Sequence, residues 1–192
     1  MSRTNSAFKT EPITAEEYLA FERSAKDKHE FIGGRIVSMA GASDRHNVIA
    51  SNTFGELFAQ LKGTNCRAFA SDMRVNAKKG NYFYPDIVVT GGERKFEDNK
   101  KDALLNPTVI IEVLSKSTKL KDRNEKFESY ITLESLTDYV LIEQDKMKIE
   151  HYSRIDEKNW NARIYTEADE EIIFNSINCR LAIADVYTEV LF

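Results

Sequence analysis

Cysteine is scarce and long apolar runs are missing from this 192-residue chain, and each shortage removes a class of protein. The two cysteines, Cys66 and Cys179, stand far apart without metal-ligand spacing, which fits a cytoplasmic chain with two reduced thiols. No stretch approaches the ~20 apolar residues of a membrane helix, so no membrane partner is expected. Met1 to Glu11 lack the apolar core of a signal peptide and read as a flexible tail. There is no Gly-x-Ser-x-Gly elbow for a Ser-His-Asp hydrolase, and no P-loop or dinucleotide fingerprint. An excess of basic charge is missing too. A net charge of −4 argues against a generally basic nucleic-acid binder, although a local basic groove depends on distribution rather than on the sum.

What is present describes one globular domain over residues 1–192, with 42% hydrophobic and 30% charged residues and no repeat or interdomain linker. Thr14-Ala15-Glu16-Glu17 is a capping box that opens a helix through Phe21. Lys28 to Met39 reads as a hairpin around Gly33-Gly34, with Glu30 on its first strand and Ile32, Ile36 and Val37 as packing residues. Ser43 or Asp44 caps a helix over 46–62 that Gly63 stops. A strand over 66–77, a Lys78-Lys79-Gly80-Asn81 turn and a strand through Asp86 follow. A charged loop and a Pro107-led strand through Glu112 come next, then a helix over 118–133 and a strand over 139–143. A β-meander over 149–166 and a closing helix over 184–191, with Asp185 as its cap, complete the chain. The order implies an α/β fold with a mixed sheet flanked by helices.

Two carboxylates interrupt otherwise apolar, β-branched runs: Asp86 in Tyr82-Phe83-Tyr84-Pro85-Asp86-Ile87-Val88-Val89, and Glu112 in Thr108-Val109-Ile110-Ile111-Glu112-Val113-Leu114-Ser115. An ionised carboxylate in such a run costs several kcal/mol, roughly, unless a cation or donors meet it. Two on consecutive strands suggest a shared cation, and a divalent metal held by hard oxygens is the economical candidate. Lys126, on the helix after the Glu112 strand, could lean over that strand's end. Each residue has a plainer reading: Asp86 beside a turn, Glu112 as a salt-bridged core acid, and Asp122–Lys126 as a surface i, i+4 pair.

Pro85-Asp86 followed by Glu112 resembles the active-site signature of the PD-(D/E)XK nuclease superfamily, the restriction-endonuclease-like fold. More closely, the chain resembles the Uma family of restriction endonucleases. The likeness runs through Glu30-Phe31-Ile32-Gly33-Gly34, His46, Tyr84 to Val89, Glu112 to Thr118, and Asp122-Arg123 followed by Lys126 and Tyr130. It departs from the superfamily motif at one position: Leu114 stands where the motif carries lysine, and the Uma-type pattern offers Lys126 instead. The resemblance implies a mixed central sheet with an extra N-terminal helix and hairpin and a C-terminal meander. It also implies Mg²⁺- or Mn²⁺-dependent phosphodiester hydrolysis of nucleic acid, DNA ahead of RNA, by a homodimer. Asp86, Glu112 and the Val113 carbonyl would hold the metal, and Lys126 would stand within reach of both carboxylates to orient water and offset charge. Glu30 and His46 form a second tier. The competing expectation is a non-catalytic nucleic-acid or protein interaction module that retains the fold.

Overall fold

A computed structural model describes residues 12–77, 80–115 and 119–192; the expected N-terminal tail, Lys78-Lys79 of the turn and the Thr118 helix start lie outside the described residues. Helix α1 (Ala15–Glu22) carries both halves of its capping box, with Thr14 Oγ1 accepting from the Glu17 amide at 3.1 Å and the Glu17 carboxylate accepting from the Thr14 amide at 2.8 Å. Strands β1 (His29–Ile32) and β2 (Arg35–Ser38) pair across a turn in which Gly33 and Gly34 have φ of 55° and 82°. Only glycine enters that region without a steric cost. Helix α2 (Asp44–Gln60) begins at Ser43, whose Oγ accepts from the His46 amide at 3.2 Å, so Ser43 is the cap of the two candidates.

Then follow β3 (Arg67–Ala70), β4 (Arg74–Ala77), β5 (Asn81–Phe83), β6 (Ile87–Thr90), β7 (Ala103–Leu104) and β8 (Val109–Leu114). The segment after β8 comprises α3 (Lys119–Lys121), a π-turn (Asp122–Lys126) and α4 (Phe127–Tyr130). Strands β9 (Asp138–Glu143), β10 (Ile149–Arg154) and β11 (Trp160–Tyr165) form the expected meander. A hairpin of β12 (Glu171–Phe174) and β13 (Cys179–Ala182) and one turn of helix, α5 (Ile183–Val186), end the order.

The main sheet runs β11-β10-β9-β8-β6-β3, with β8 and β9 parallel and the other pairs antiparallel. A second sheet runs β2-β1-β5-β4-β7. Every residue of β6, β8 and β9 is buried, as continuous apolar runs require when both faces are covered. Alternation along β8 sends Val109, Ile111 and Val113 toward Ile49, Leu57 and Leu61 of α2 and its end. Ile110 and Leu114 face Tyr130, Leu133 and Tyr139 on the other side. Glu112 lies on that second register, toward the lysine-bearing segment.

Four expectations are corrected. The runs over 66–77 and 82–89 are not single strands: each bends from one sheet into the other, β3 and β6 joining the main sheet while β4 and β5 join the second. Pro85 stands at the second bend and has no amide hydrogen to give a ladder. Val37 is 37% exposed, because β2 is an edge strand with only Ile36 half-buried. Asp185 lies inside the last helical turn, which starts after Ala182 without a side-chain cap. The stretch between 166 and 184, given no element from the sequence, holds the β12–β13 hairpin, whose Ile172, Phe174 and Leu181 close the α2 side of the core.

Candidate active site

Antiparallel pairing of β6 with β8 matches Ile87 to Ile111 and Val88 to Ile110. Continued by one residue, that register sets Asp86 beside Glu112. The bend at Pro85 ends the ladder there, so Asp86 does not pair as strand; its Oδ2 instead accepts from the Val113 amide at 2.7 Å. The two strands are therefore neighbours in one sheet, and both acids open into a single cavity of ≈ 430 Å³. Glu30, His46, Lys121, Asp122 and Lys126 line the same cavity.

Lys126 reaches it because the segment widens into a π-turn over Asp122–Lys126, a geometry frequent at functional sites. The Tyr139 hydroxyl donates to the Asp122 carbonyl at 3.0 Å and anchors that turn to β9. The Lys126 amine donates to Glu112 Oε1 at 3.0 Å, and it also lies 3.0 Å from Glu30 Oε1 and 3.1 Å from Asp122 Oδ1. Neither of the last two oxygens has a partner in hydrogen-bond geometry, so they are bound by charge rather than by direction. The Asp122–Lys126 pair is thus buried, with side chains 2% and 5% exposed, and not the surface pair its spacing allows. Of the two carboxylates set within reach of Lys126 by the sequence, Glu112 is in direct contact and Asp86 is not among its ion-pair partners.

Charge in this cavity is unbalanced. Glu30, Asp86, Glu112 and Asp122 face two lysines, Lys121 and Lys126, together with His46. Burial pushes the Glu112 carboxyl well above its usual range; Lys126 opposes the shift, and Asp122, Asp86 and Glu30 add to it. Burial alone would lower Lys126, but Glu112, Glu30 and Asp122 outweigh it and hold the ammonium well above its usual value. Glu30 goes the other way. Its burial is outweighed by Lys126 and Lys121, whose amine bonds Glu30 Oε2, so its carboxyl is held low.

His46 Nε2 lies 3.2 Å from Asp86 Oδ2, while its buried Nδ1 has no hydrogen-bond partner. Burial would lower the imidazole, but the Asp86 contact prevails and raises it. Val113 lines the cavity with its amide given to Asp86, and its backbone also meets the His46 imidazole and helps to raise it, so a cation at the Val113 carbonyl would share that oxygen with His46. Leu114 is buried in the apolar cluster on the Tyr130 side and contributes no charge.

Lys121 lines the cavity without having been singled out in the sequence, and Asp122, quoted in the motif, had been given no role in the site. The signal was present for Asp122 in its i, i+4 spacing to Lys126; nothing local marked Lys121.

The donor set suits a hard divalent cation. It is oxygen-rich and net negative, and Glu30 Oε1 and Asp122 Oδ1 meet the Lys126 amine by charge alone, without a hydrogen bond. Among the described residues no three His, Cys, Asp or Glu side chains form a ready ligand group. A cation here would take Asp86, Glu112 and the Val113 carbonyl, with water completing its shell.

A family model, Uma2, described as "Putative restriction endonuclease", matches residues 15–184. Two proteins of Synechocystis sp. are similar over most of their length. Uncharacterized protein sll1609 is 41% identical over 152 residues, covering 79% of this chain and 86% of that one. Uncharacterized protein slr1290 is 31% identical over 182 residues, 94% of each. The crystal structure of a "putative nuclease belonging to DUF820" from Anabaena variabilis superposes with a TM-score of 0.73 at 21% identity, covering 94% of this chain and all of that one. That likeness is one of fold, and it bears out the restriction-endonuclease-like architecture expected from the sequence.

Proposed function

Because the chain belongs to the Uma2 family, described as "Putative restriction endonuclease", we propose that the cavity between β6 and β8 is the active site of a metal-dependent endonuclease acting on DNA. One observation carries the reading: a buried lysine amine sits 3.0 Å from Glu112 inside a cavity that also opens onto Asp86. When bound, Mg²⁺ or Mn²⁺ would polarise the scissile phosphate and lower the pKa of a bound water. Asp86 and Glu112, with the Val113 carbonyl, would hold the ion. The Val113 amide fixes the Asp86 carboxylate, and His46 braces it from α2. Lys126 holds Glu112 in place, and its buried positive charge would offset charge building up on the phosphate through space rather than by contact. Glu30 keeps that ammonium seated. A second copy of the chain would supply the site for the opposite strand.

The test is cleavage of supercoiled plasmid, single-stranded DNA and RNA with Mg²⁺ or Mn²⁺ by wild type, Asp86→Ala and Glu112→Gln. The reading predicts DNA cleavage that needs the divalent ion and is lost in both variants, with linear product from paired sites. Cleavage that survives either substitution, or DNA binding without any cleavage, would refute it; the latter is the behaviour of an interaction module.

A further inference from the structure

The lysine expected to act on substrate is not free to do so. The Lys126 amine is enclosed by carboxylate oxygens at 3.0, 3.0 and 3.1 Å, held to Glu112 by a hydrogen bond and to Glu30 and Asp122 by charge. Its side chain is 5% exposed, with the Phe83 ring 5.8 Å away. A phosphate oxygen could reach that amine only by displacing a buried acid. Lys121 is placed differently. Its amine is paired with Glu30 Oε2, the only carboxylate it contacts among the described residues. The side chain is 22% exposed and lines the same cavity, onto which Asp86 and Glu112 also open.

We propose that Lys121, not Lys126, is the cation that meets the nucleic-acid phosphate, and that Glu30 couples the two by bridging a closed lysine and an open one. This rests on the nuclease reading, which supplies the phosphate. Glu30 uses its two oxygens separately, Oε1 toward Lys126 and Oε2 toward Lys121. Binding at Lys121 can thus loosen one half of the bridge without disturbing the other. The chemistry recognised is a phosphodiester anion, and a lysine serves it as a point charge.

The experiment is equilibrium binding of a fluorescent DNA duplex in Ca²⁺, which reads binding without turnover, across a series of monovalent salt concentrations. Wild type, Lys121→Gln and Lys121→Arg are compared, each first shown to melt as the wild type does. Losing one phosphate contact flattens the slope of log affinity against log salt by about 0.9. Over a fourfold rise in salt, Lys121→Gln should therefore lose about 3.5-fold less affinity than wild type, and Lys121→Arg should restore the wild-type slope. A wild-type slope in Lys121→Gln overturns this inference alone. Failure of the wild type to bind any duplex overturns it together with the nuclease reading.

Discussion

Removing Lys126 should be costly for the fold itself, and the cost should depend on pH in a defined direction. Three buried acids surround the amine at 3.0–3.1 Å. At an effective dielectric near 20, each contact is worth about 5 kcal/mol gross. Desolvation of the charges and repulsion among the acids take most of that back. The acids remain, however, when the lysine is gone, and deleting one partner of a buried ion pair typically costs about 3–5 kcal/mol. Lys126→Met, close in shape and neutral, isolates the charge. Protonation of the abandoned acids limits the damage, so the loss should be largest at pH 8 and smaller at pH 5. A second substitution, Glu112→Gln, should return part of the stability, because it removes the acid that burial already disfavours in its ionised form. Urea unfolding of the wild type, both single variants and the double variant at the two pH values completes a double-mutant cycle. For a chain of this size the loss corresponds to roughly 6–20 °C in Tm. A Lys126→Met variant within about 1 kcal/mol of wild type at pH 8, or equally weakened at both pH values, would refute the argument that the amine balances buried charge.

The wild type should carry two opposed pH dependences about the ordinary glutamate value of 4.5. Glu112 is raised on folding, so its contribution is full below 4.5 and is lost as pH rises through its folded value; Glu112→Gln should flatten that limb in a pH series of melting temperatures. Glu30 is lowered, so its contribution is present above 4.5 and is lost as pH falls, a limb that Glu30→Gln should remove. Mg²⁺ or Mn²⁺ at about 100 times its Kd should stabilise the wild type by about 2.7 kcal/mol, and Asp86→Ala should show a much weaker shift; calorimetry giving unchanged affinity in that variant would dispose of the shared site. Tyr139→Phe should cost about 1 kcal/mol through loss of the hydrogen bond to the Asp122 carbonyl, read by urea unfolding, and should lower activity by loosening the turn that seats Lys126. Unchanged stability would mean that the hydroxyl does not anchor the turn.

Several features could be read from the residues because their causes are local. The Thr14 capping box, the Gly33-Gly34 turn, the Ser43 cap and the apolar runs of β6 and β8 each follow from side chains within a few positions of one another. The runs around Asp86 and Glu112 also made adjacent strands the natural expectation, which the β6–β8 pairing meets. Tertiary structure decided the rest. Whether a β-branched run is one strand or two depends on which partners accept its edges. The bend at Pro85 therefore became visible only once β5 and β6 were assigned to different sheets. Glu30 reads as an ordinary strand acid until a helical segment ninety residues later closes over it with Lys121 and Lys126. The enclosure of Lys126 has the same origin: its three acids come from β1, β8 and its own π-turn, and only their convergence leaves the neighbouring Lys121 as the more exposed lysine of the cavity. Charge burial is set by what covers a side chain, and the cover here arrives from segments distant in sequence.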